Sequence, residues 1–91
     1  MNDPSSYSVL YDPKALKVLS KLDKPTVRRV ATAIGRLSDE PHPAGMRALV
    51  GFPGFFRIRV GDYRIVYTVN DSELIVLVLR VAHRSVVYRK P

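Results

Sequence analysis

The sequence predicts an α+β fold: an N-terminal strand, a two-helix hairpin and a three-stranded antiparallel meander, with both helices packed on one face of the sheet. Three observations support this fold. The N-terminal segment alternates, two helix patterns each begin near an Asp and a Pro, and the second half holds apolar stretches separated by turn residues. With 91 residues the chain can build one modest core, so residues 1–91 are expected to form a single domain.

The first strand and the two helices are predicted from the first 38 residues. Tyrosine and valine alternate with other side chains along residues 7–11, which is typical of a half-buried strand. The Asp-Pro pair at 12–13 supplies an N-cap and a first helical residue, and this helix is expected to end near residue 23. A second helix is predicted from residues 23–25 to about Ser38, because apolar side chains recur there every three or four positions.

The remaining strands are predicted after residues 39–45, DEPHPAG, whose prolines and glycine end helical structure. Their expected ranges are Arg47–Val60 with a break at Gly51–Gly54, then Tyr63–Asn70, then Leu74–Ala82. The last range contains LIVLVLRVA, which is almost continuously apolar. Such a run favours a central strand that is covered on both faces.

The segment FFRIRVGDYRIVY, residues 55–67, predicts a basic hairpin. If residues 61–62 form a two-residue loop, Arg59 faces Arg64 and Arg57 lies two positions along on the same face. Like charges opposite each other destabilise a sheet by roughly 0.2–1 kcal/mol, so stability alone does not favour this pattern. Because arginine binds phosphate bidentately, the pattern indicates an anionic ligand, although a solvated face with diverging side chains remains the alternative.

The overall charge points to acidic partners. Fifteen basic and eight acidic side chains give a net charge of +7 and a pI near 10.2, which suits nucleic acid, an acidic protein or an anionic membrane surface. Residues 45–91 carry eight basic and three acidic side chains, or +5 of the total. The polyanion site is therefore expected in the second half.

Other compositional features exclude several classes of site. The chain has no Cys and two His, so a structural zinc site is not expected and we predict metal-free chemistry without a cofactor. The N-terminal residues lack a signal-peptide pattern, and no apolar run reaches the roughly 18 residues that span a bilayer. We expect a cytoplasmic protein without a membrane partner.

Two motifs together resemble a known family. FFRIRVGDYRIVY followed by RVAHRSVVY is similar to the RelE group of the RelE/ParE toxin superfamily, and the predicted element order matches that family from Tyr7 to Tyr88. The resemblance implies a type II toxin that cleaves messenger RNA on the ribosome and is inhibited by an antitoxin. By motif, the implied functional residues are Arg57, Arg59, Arg64, Arg84 and Tyr88.

The resemblance also implies a reaction. A ribose 2′-oxygen attacks the adjacent phosphate and leaves a 2′,3′-cyclic phosphate and a 5′-hydroxyl, without a metal. The three hairpin arginines are expected to contact phosphate oxygens, and Arg84 is expected to clamp the phosphate or stabilise the leaving group. Tyr88 is expected to stack on a base or to exchange a proton with the 2′-oxygen, and packing of the C-terminal segment against the sheet is its alternative role. Arg47 completes the expected RNA-binding set.

The chain departs from the family pattern at the general base. Some relatives have lysines where this chain has Arg57 and Arg59, and arginine does not give up its proton in proteins. Some branches have a Glu just before the position of Leu49, where this chain reads Met-Arg-Ala. His83 is the remaining candidate base because histidine titrates near neutral pH, and local hydrogen bonding at a strand end is its alternative role.

The partners implied by the resemblance are an acidic RelB-like antitoxin in a hetero-oligomeric complex and the 70S ribosome with messenger RNA in its A site. Charge complementarity favours the acidic antitoxin as well. Two other functions remain open. One is a ParE-like toxin that acts on DNA gyrase, and the other is a catalytically inactive module that binds RNA or antitoxin.

Overall fold

A computed structural model describes residues 6–86, which form a five-stranded sheet and two helices. The order along the chain is β1 (Ser8–Tyr11), α1 (Pro13–Leu19), α2 (Lys24–Arg36), β2 (Arg47–Ala48), β3 (Phe55–Val60), β4 (Tyr63–Asn70) and β5 (Ile75–His83). The strands lie in the order β1-β5-β4-β3-β2. β1 is parallel to β5, and the other neighbouring pairs are antiparallel. The predicted α+β fold is confirmed, with β2 as a separate fifth strand.

Both helices begin where the Asp-Pro signals predict. The Asp12 carboxylate accepts a hydrogen bond from the backbone N–H of Lys14 at 2.8 Å, and Asp23 accepts one from that of Thr26 at 3.2 Å. The Thr26 hydroxyl also donates to Asp23 at 2.7 Å, and this bond holds the pKa of the Asp23 carboxyl below its usual value. α1 ends at Leu19, earlier than predicted, and turns fill the space before Asp23.

The predicted hairpin between β3 and β4 is confirmed in register. Gly61 and Asp62 form the two-residue loop, and Arg59 lies opposite Arg64. Gly61 has φ +57°, and Asp62 does not have a positive φ. This combination is that of a type II′ turn, which needs glycine at its first central position. The turn therefore sets the pairing that aligns the two arginines.

A β-bulge changes which side chains of β5 face the helices. Tyr67 pairs with Val78 and Val66 pairs with Arg80, so Leu79 has no partner on β4. Val78 belongs to the core next to the helices, but so does Val81, three positions later. An unbroken strand alternates with a period of two residues, whereas the bulge reverses that alternation.

The core fills the space between the helices and one face of the sheet. Fully buried side chains from α2 pack with side chains from three strands. They are Val30 and Ile34 on α2 and Leu37 at its C-cap, with Ile65, Tyr67, Val76, Val78 and Val81 on β4 and β5, joined by Ile58 on β3 and Ala15 on α1. The opposite face of β3 and β4 is therefore free to carry polar groups.

Tyr67 ties the loop after α2 to the sheet. Its hydroxyl donates to the carbonyl oxygen of Pro41 at 3.1 Å, and its ring lies 6.1 Å from that of Phe56. Tyr67 and Pro41 are both buried. Burial raises the pKa of Tyr67 to about 12.

We expect Tyr67→Phe to remove part of the alkaline destabilisation of the protein. An exposed tyrosine titrates near 10, so the unfolded chain loses this proton at a lower pH than the folded chain, whose Tyr67 titrates at about 12. The free energy of unfolding therefore falls as the pH rises from about 10 to about 12.

Urea unfolding of the unaltered protein and of Tyr67→Phe at pH 8 and pH 11 measures the effect. The variant should be less stable at pH 8 by about 1–3 kcal/mol, because Pro41 loses its donor, but should lose less stability on going to pH 11. Equal losses in both proteins would contradict this assignment.

Candidate nucleic-acid interface

The sheet face opposite the helices carries a row of aligned arginines. Arg59 pairs with Arg64, and Arg57 pairs with Val66 on β4 and with Arg47 on β2. The residues between them point the other way, since Ile58 and its partner on β4 belong to the core. We call the face that carries Arg47, Arg57, Arg59 and Arg64 the basic face.

Three arginines share one cavity on this face. Arg57, Arg64 and Arg84 line a concavity of about 380 Å³, which we call the arginine cavity. Arg57 and Arg64 are half-buried, and Arg84 is exposed. Within the described residues neither Arg57 nor Arg64 has a carboxylate partner. Their charges are therefore available to an anion, and partial desolvation strengthens such a contact.

Arg59 is aligned with Arg64 but is oriented differently. Its Nε donates to the carbonyl oxygen of Gly61 at 3.3 Å, and the residue borders a separate groove between α2 and β3. It is also more exposed than Arg64. Arg59 is therefore not among the residues that line the arginine cavity.

Arg84 is held at the hairpin turn. Its backbone N–H donates to the carbonyl oxygen of Asp62 at 2.6 Å, and its Nε lies 3.6 Å from the Asp62 carboxylate. Both side chains are exposed, so the ion pair contributes little to stability. Its effect is positional, because it keeps the guanidinium of Arg84 near the end of the basic face.

His83 does not join the arginines. It pairs with Tyr63, which packs against the core, whereas its neighbour Ala82 pairs with Arg64. Its Nδ1 accepts a hydrogen bond from the backbone N–H of Ser85 at 3.2 Å and lies 2.9 Å from the Ser85 hydroxyl. The His83 and Tyr63 rings meet edge to face at 5.4 Å. His83 thus has the local hydrogen bonding that the sequence offered as its alternative role.

Two other predicted site residues have simple outcomes. Arg47 is exposed on the basic face beside Arg57. Tyr88 lies outside residues 6–86, so its place relative to the arginines stays a prediction.

Two features of this region were not predicted. Arg80 on β5 pairs with Val66 on β4, and Val66 pairs with Arg57 on β3. This alignment of the two arginines follows from the bulge in β5. The arginine cavity also has an apolar wall formed by the end of β2 and the following loop, including Leu49 and Phe52. The segment LVGFPGFF contained the signal for this wall, since it combines exposed-loop glycines with large apolar side chains.

The described part of the chain meets neither the requirements of a metal site nor those of a membrane-spanning helix. Within residues 6–86, His, Asp and Glu side chains do not gather in groups of three or more. No helix in the same range combines the length and the apolar character that a membrane span requires.

Comparison with known proteins relates the whole domain to toxins. Residues 9–88 match the family model described as the ParE toxin of type II toxin-antitoxin systems. The toxin RelG of Mycobacterium tuberculosis is 35% identical over 85 residues, which cover 92% of this chain and 98% of RelG.

Solved structures of similar sequence share the fold. The toxin in the archaeal RelE-RelB complex from Pyrococcus horikoshii has a TM-score of 0.78 at 29% identity, covering 90% of this chain and 99% of that one. The toxin-antitoxin complex RelBE2 from M. tuberculosis gives 0.76 at 34% identity, covering 87% of this chain and 99% of that one. The agreement therefore includes the sheet that carries the basic face.

Proposed function

The chain belongs to the RelE family of type II toxins, within the RelE/ParE superfamily, and we propose that it is a ribosome-dependent endoribonuclease that cleaves messenger RNA. One observation carries the proposal: Arg57, Arg64 and Arg84 line a common cavity on the face of the sheet that the helices leave uncovered. A nucleic-acid backbone supplies the negative charge that such a cluster needs.

The proposed reaction joins the ribose 2′-oxygen to the adjacent phosphorus and breaks the bond from phosphorus to the 5′-oxygen. The 2′-hydroxyl gives its proton to a base, negative charge develops on the non-bridging oxygens of the pentacoordinate phosphorane, and the departing 5′-oxygen takes up a proton from an acid or from water. Arg57 and Arg64 stabilise the phosphorane oxygens, and Arg84 binds the phosphate from the turn. Since the arginines remain protonated, we assign the proton-accepting role to Tyr88 or to a group of the ribosome.

Ribosome dependence follows from this sparse set of acids and bases. His83 faces away from the arginines, so the basic face within residues 6–86 does not carry a histidine that could act as a general base. Positioning by a larger assembly can supply roughly 7–11 kcal/mol of a reaction barrier. Cleavage should therefore be slow on naked RNA and fast on translated RNA.

The proposed partner is an acidic RelB-like antitoxin. Two of the similar structures are complexes of RelE-type toxins with their antitoxins. A net charge of +7 favours an acidic protein, and charge complementarity speeds association. An antitoxin that covers the basic face would exclude RNA from it.

Mapping of 5′-hydroxyl ends on messenger RNA after brief expression tests the proposed activity. We expect new ends within translated regions for the unaltered protein and about a hundredfold fewer for Arg57→Ala, which removes one phosphate contact. Arg28→Ala on the exposed side of α2 is the matched control, because it removes the same charge away from the basic face. New ends that persist in Arg57→Ala would contradict the site.

The matching family model describes ParE toxins, and this match favours a second candidate function. A ParE-like toxin acting on DNA gyrase would change DNA supercoiling in the presence of the pure protein and would leave messenger RNA intact. The phosphate-suited cavity favours the nuclease, since a protein-binding surface does not need three guanidiniums around one space. A supercoiling assay beside the RNA mapping separates the two functions.

A further inference from the structure

The arginine cavity has two unlike walls. One wall carries Arg57, Arg64 and Arg84, and the other is apolar. The apolar side chains that line the cavity are Ala48, Leu49, Val50, Phe52 and Val86. The volume of about 380 Å³ lies within the range of about 300–1,000 Å³ found for small-molecule sites. A ligand that fits both walls must combine a negative group with a flat apolar one.

The apolar wall is held in a fixed shape by its backbone. We define the β2–β3 loop as residues 49–54. Gly51 and Gly54 adopt φ +81° and +83°, a conformation that suits glycine. The N–H of Phe52 donates to the carbonyl of Leu49 at 3.1 Å, and the N–H of Phe55 donates to the carbonyl of Phe52 at 3.1 Å. A loop with this bonding presents Phe52 without a large ordering cost.

The core does not account for the apolar side chains of the loop. Val50 is 94% exposed, and neither Leu49 nor Phe52 belongs to the cluster that packs around the core. Phe52 is half-buried, and its ring meets the ring of Phe55 edge to face at 6.3 Å. Among residues 6–86, the core therefore leaves these side chains uncovered, and they can contact a ligand in the cavity.

We propose that Phe52, with the β2–β3 loop around it, is a base-stacking subsite for a nucleotide whose phosphate is bound by Arg57, Arg64 and Arg84. This inference rests on the proposed function, because it assigns a second contact to the same RNA. Single-stranded nucleic acid is bound in this way elsewhere, by basic grooves for the backbone and aromatic rings for the bases. Every base has an aromatic face, so the subsite contributes affinity for any base.

An RNA strand fits the two walls better than a protein segment does. An acidic peptide can pair with the guanidiniums, and an apolar one can cover the loop. The two walls border one cavity, however, and a nucleotide joins a phosphate and a flat ring within a single unit. The test below distinguishes this RNA contact from contact of the loop with an acidic antitoxin segment.

The test measures binding of a short single-stranded RNA whose ribose 2′-oxygens are methylated, so that cleavage cannot occur. We expect Phe52→Ala to weaken binding about 5- to 150-fold, which is the range for loss of one stacked base. Phe52→Trp should keep the affinity. The chain has no Trp, so the fluorescence of this variant reports stacking through quenching by the bound RNA. Leu10→Ala is the matched control, since Leu10 is 50% exposed on β1, outside the cavity.

The outcomes separate this inference from the proposed function. If Phe52→Ala binds RNA within twofold of the unaltered protein while Arg57→Ala binds weakly, the stacking subsite is wrong and the nuclease proposal stands. If Arg57→Ala also binds normally, both are wrong. If Phe52→Ala weakens only the binding of an acidic antitoxin peptide, the loop is an antitoxin contact and the inference is overturned. Thermal unfolding of each variant shows whether it is folded. If the fluorescence of a folded Phe52→Trp protein is not quenched by bound RNA, that result also counts against stacking.

Discussion

Arg64→Ala is expected to lower the rate of messenger-RNA cleavage about a hundredfold or more, because it removes a donor aimed at charge that develops in the transition state. Arg64 is half-buried in the cavity shared with Arg57 and Arg84, and it has no carboxylate partner within residues 6–86. The charge of Arg64 is therefore available to the ligand. Single-turnover cleavage on ribosomes programmed with a defined messenger RNA measures the loss.

The free energy of unfolding of Arg64→Ala should change little, and any change should be an increase. Arg59 lies directly across from Arg64, and removal of a like-charged neighbour relieves roughly 0.2–1 kcal/mol of repulsion. Urea unfolding should therefore show unchanged or slightly raised stability. Arg64→Lys keeps the charge but loses the bidentate geometry, so an intermediate rate is expected. A normal rate for Arg64→Ala, or an equal loss for Arg28→Ala on α2, would contradict the assigned role.

The hairpin was predictable from sequence because its information is local. A two-residue Gly-Asp loop permits one register, and that register alone aligns Arg59 with Arg64. The Asp and Pro residues that start each helix are equally local signals, since Asp12 is next to Pro13 and Asp23 is two positions before Pro25. The turn and the helix starts that such local signals predict are kept in the folded protein, because tertiary contacts rarely change them.

The position of His83 was not predictable, because it depends on a distant pairing. Counting by twos from Val78, which faces the core, places Ala82 on the core side and His83 on the side of the arginines. The bulge at Leu79 reverses this count, so His83 faces the helices and Ala82 pairs with Arg64. The apolar run in β5 has no residue that marks the bulge, and only the pairing with β4 reveals it.

The apolar wall of the cavity is not predictable from the sequence, for a different reason. The sequence indicates the break at Gly51–Gly54, but β2 has only two residues, and its pairing with β3 is visible only in the folded sheet. That pairing is what brings Leu49 and Phe52 beside Arg57. A periodic pattern needs more residues than a two-residue strand contains, so the sequence indicates the loop but not the surface that it faces.

Ile65→Ala is expected to cause the largest loss of stability among the changes considered, about 2–5 kcal/mol. Ile65 is fully buried, and it is aligned with Ile58 on β3 and Val81 on β5 beneath α2. Truncation leaves a cavity in the layer that supports the basic face from behind. Domains of this kind have free energies of unfolding of about 5–15 kcal/mol, so the change removes a large share of the total.

The same variant separates support of the basic face from chemistry on it. Ile65→Val should cost only about 0.5–1.5 kcal/mol, because it removes a single methylene. Cleavage by Ile65→Ala should fall with the folded fraction and recover on cooling, whereas the defect of Arg64→Ala should persist at every temperature at which that protein is folded. Urea unfolding and single-turnover rates at two temperatures test both expectations. If folded Ile65→Ala still cleaves as slowly as Arg64→Ala, the packing beneath the sheet also sets the geometry of the arginines, and the two roles are not separable.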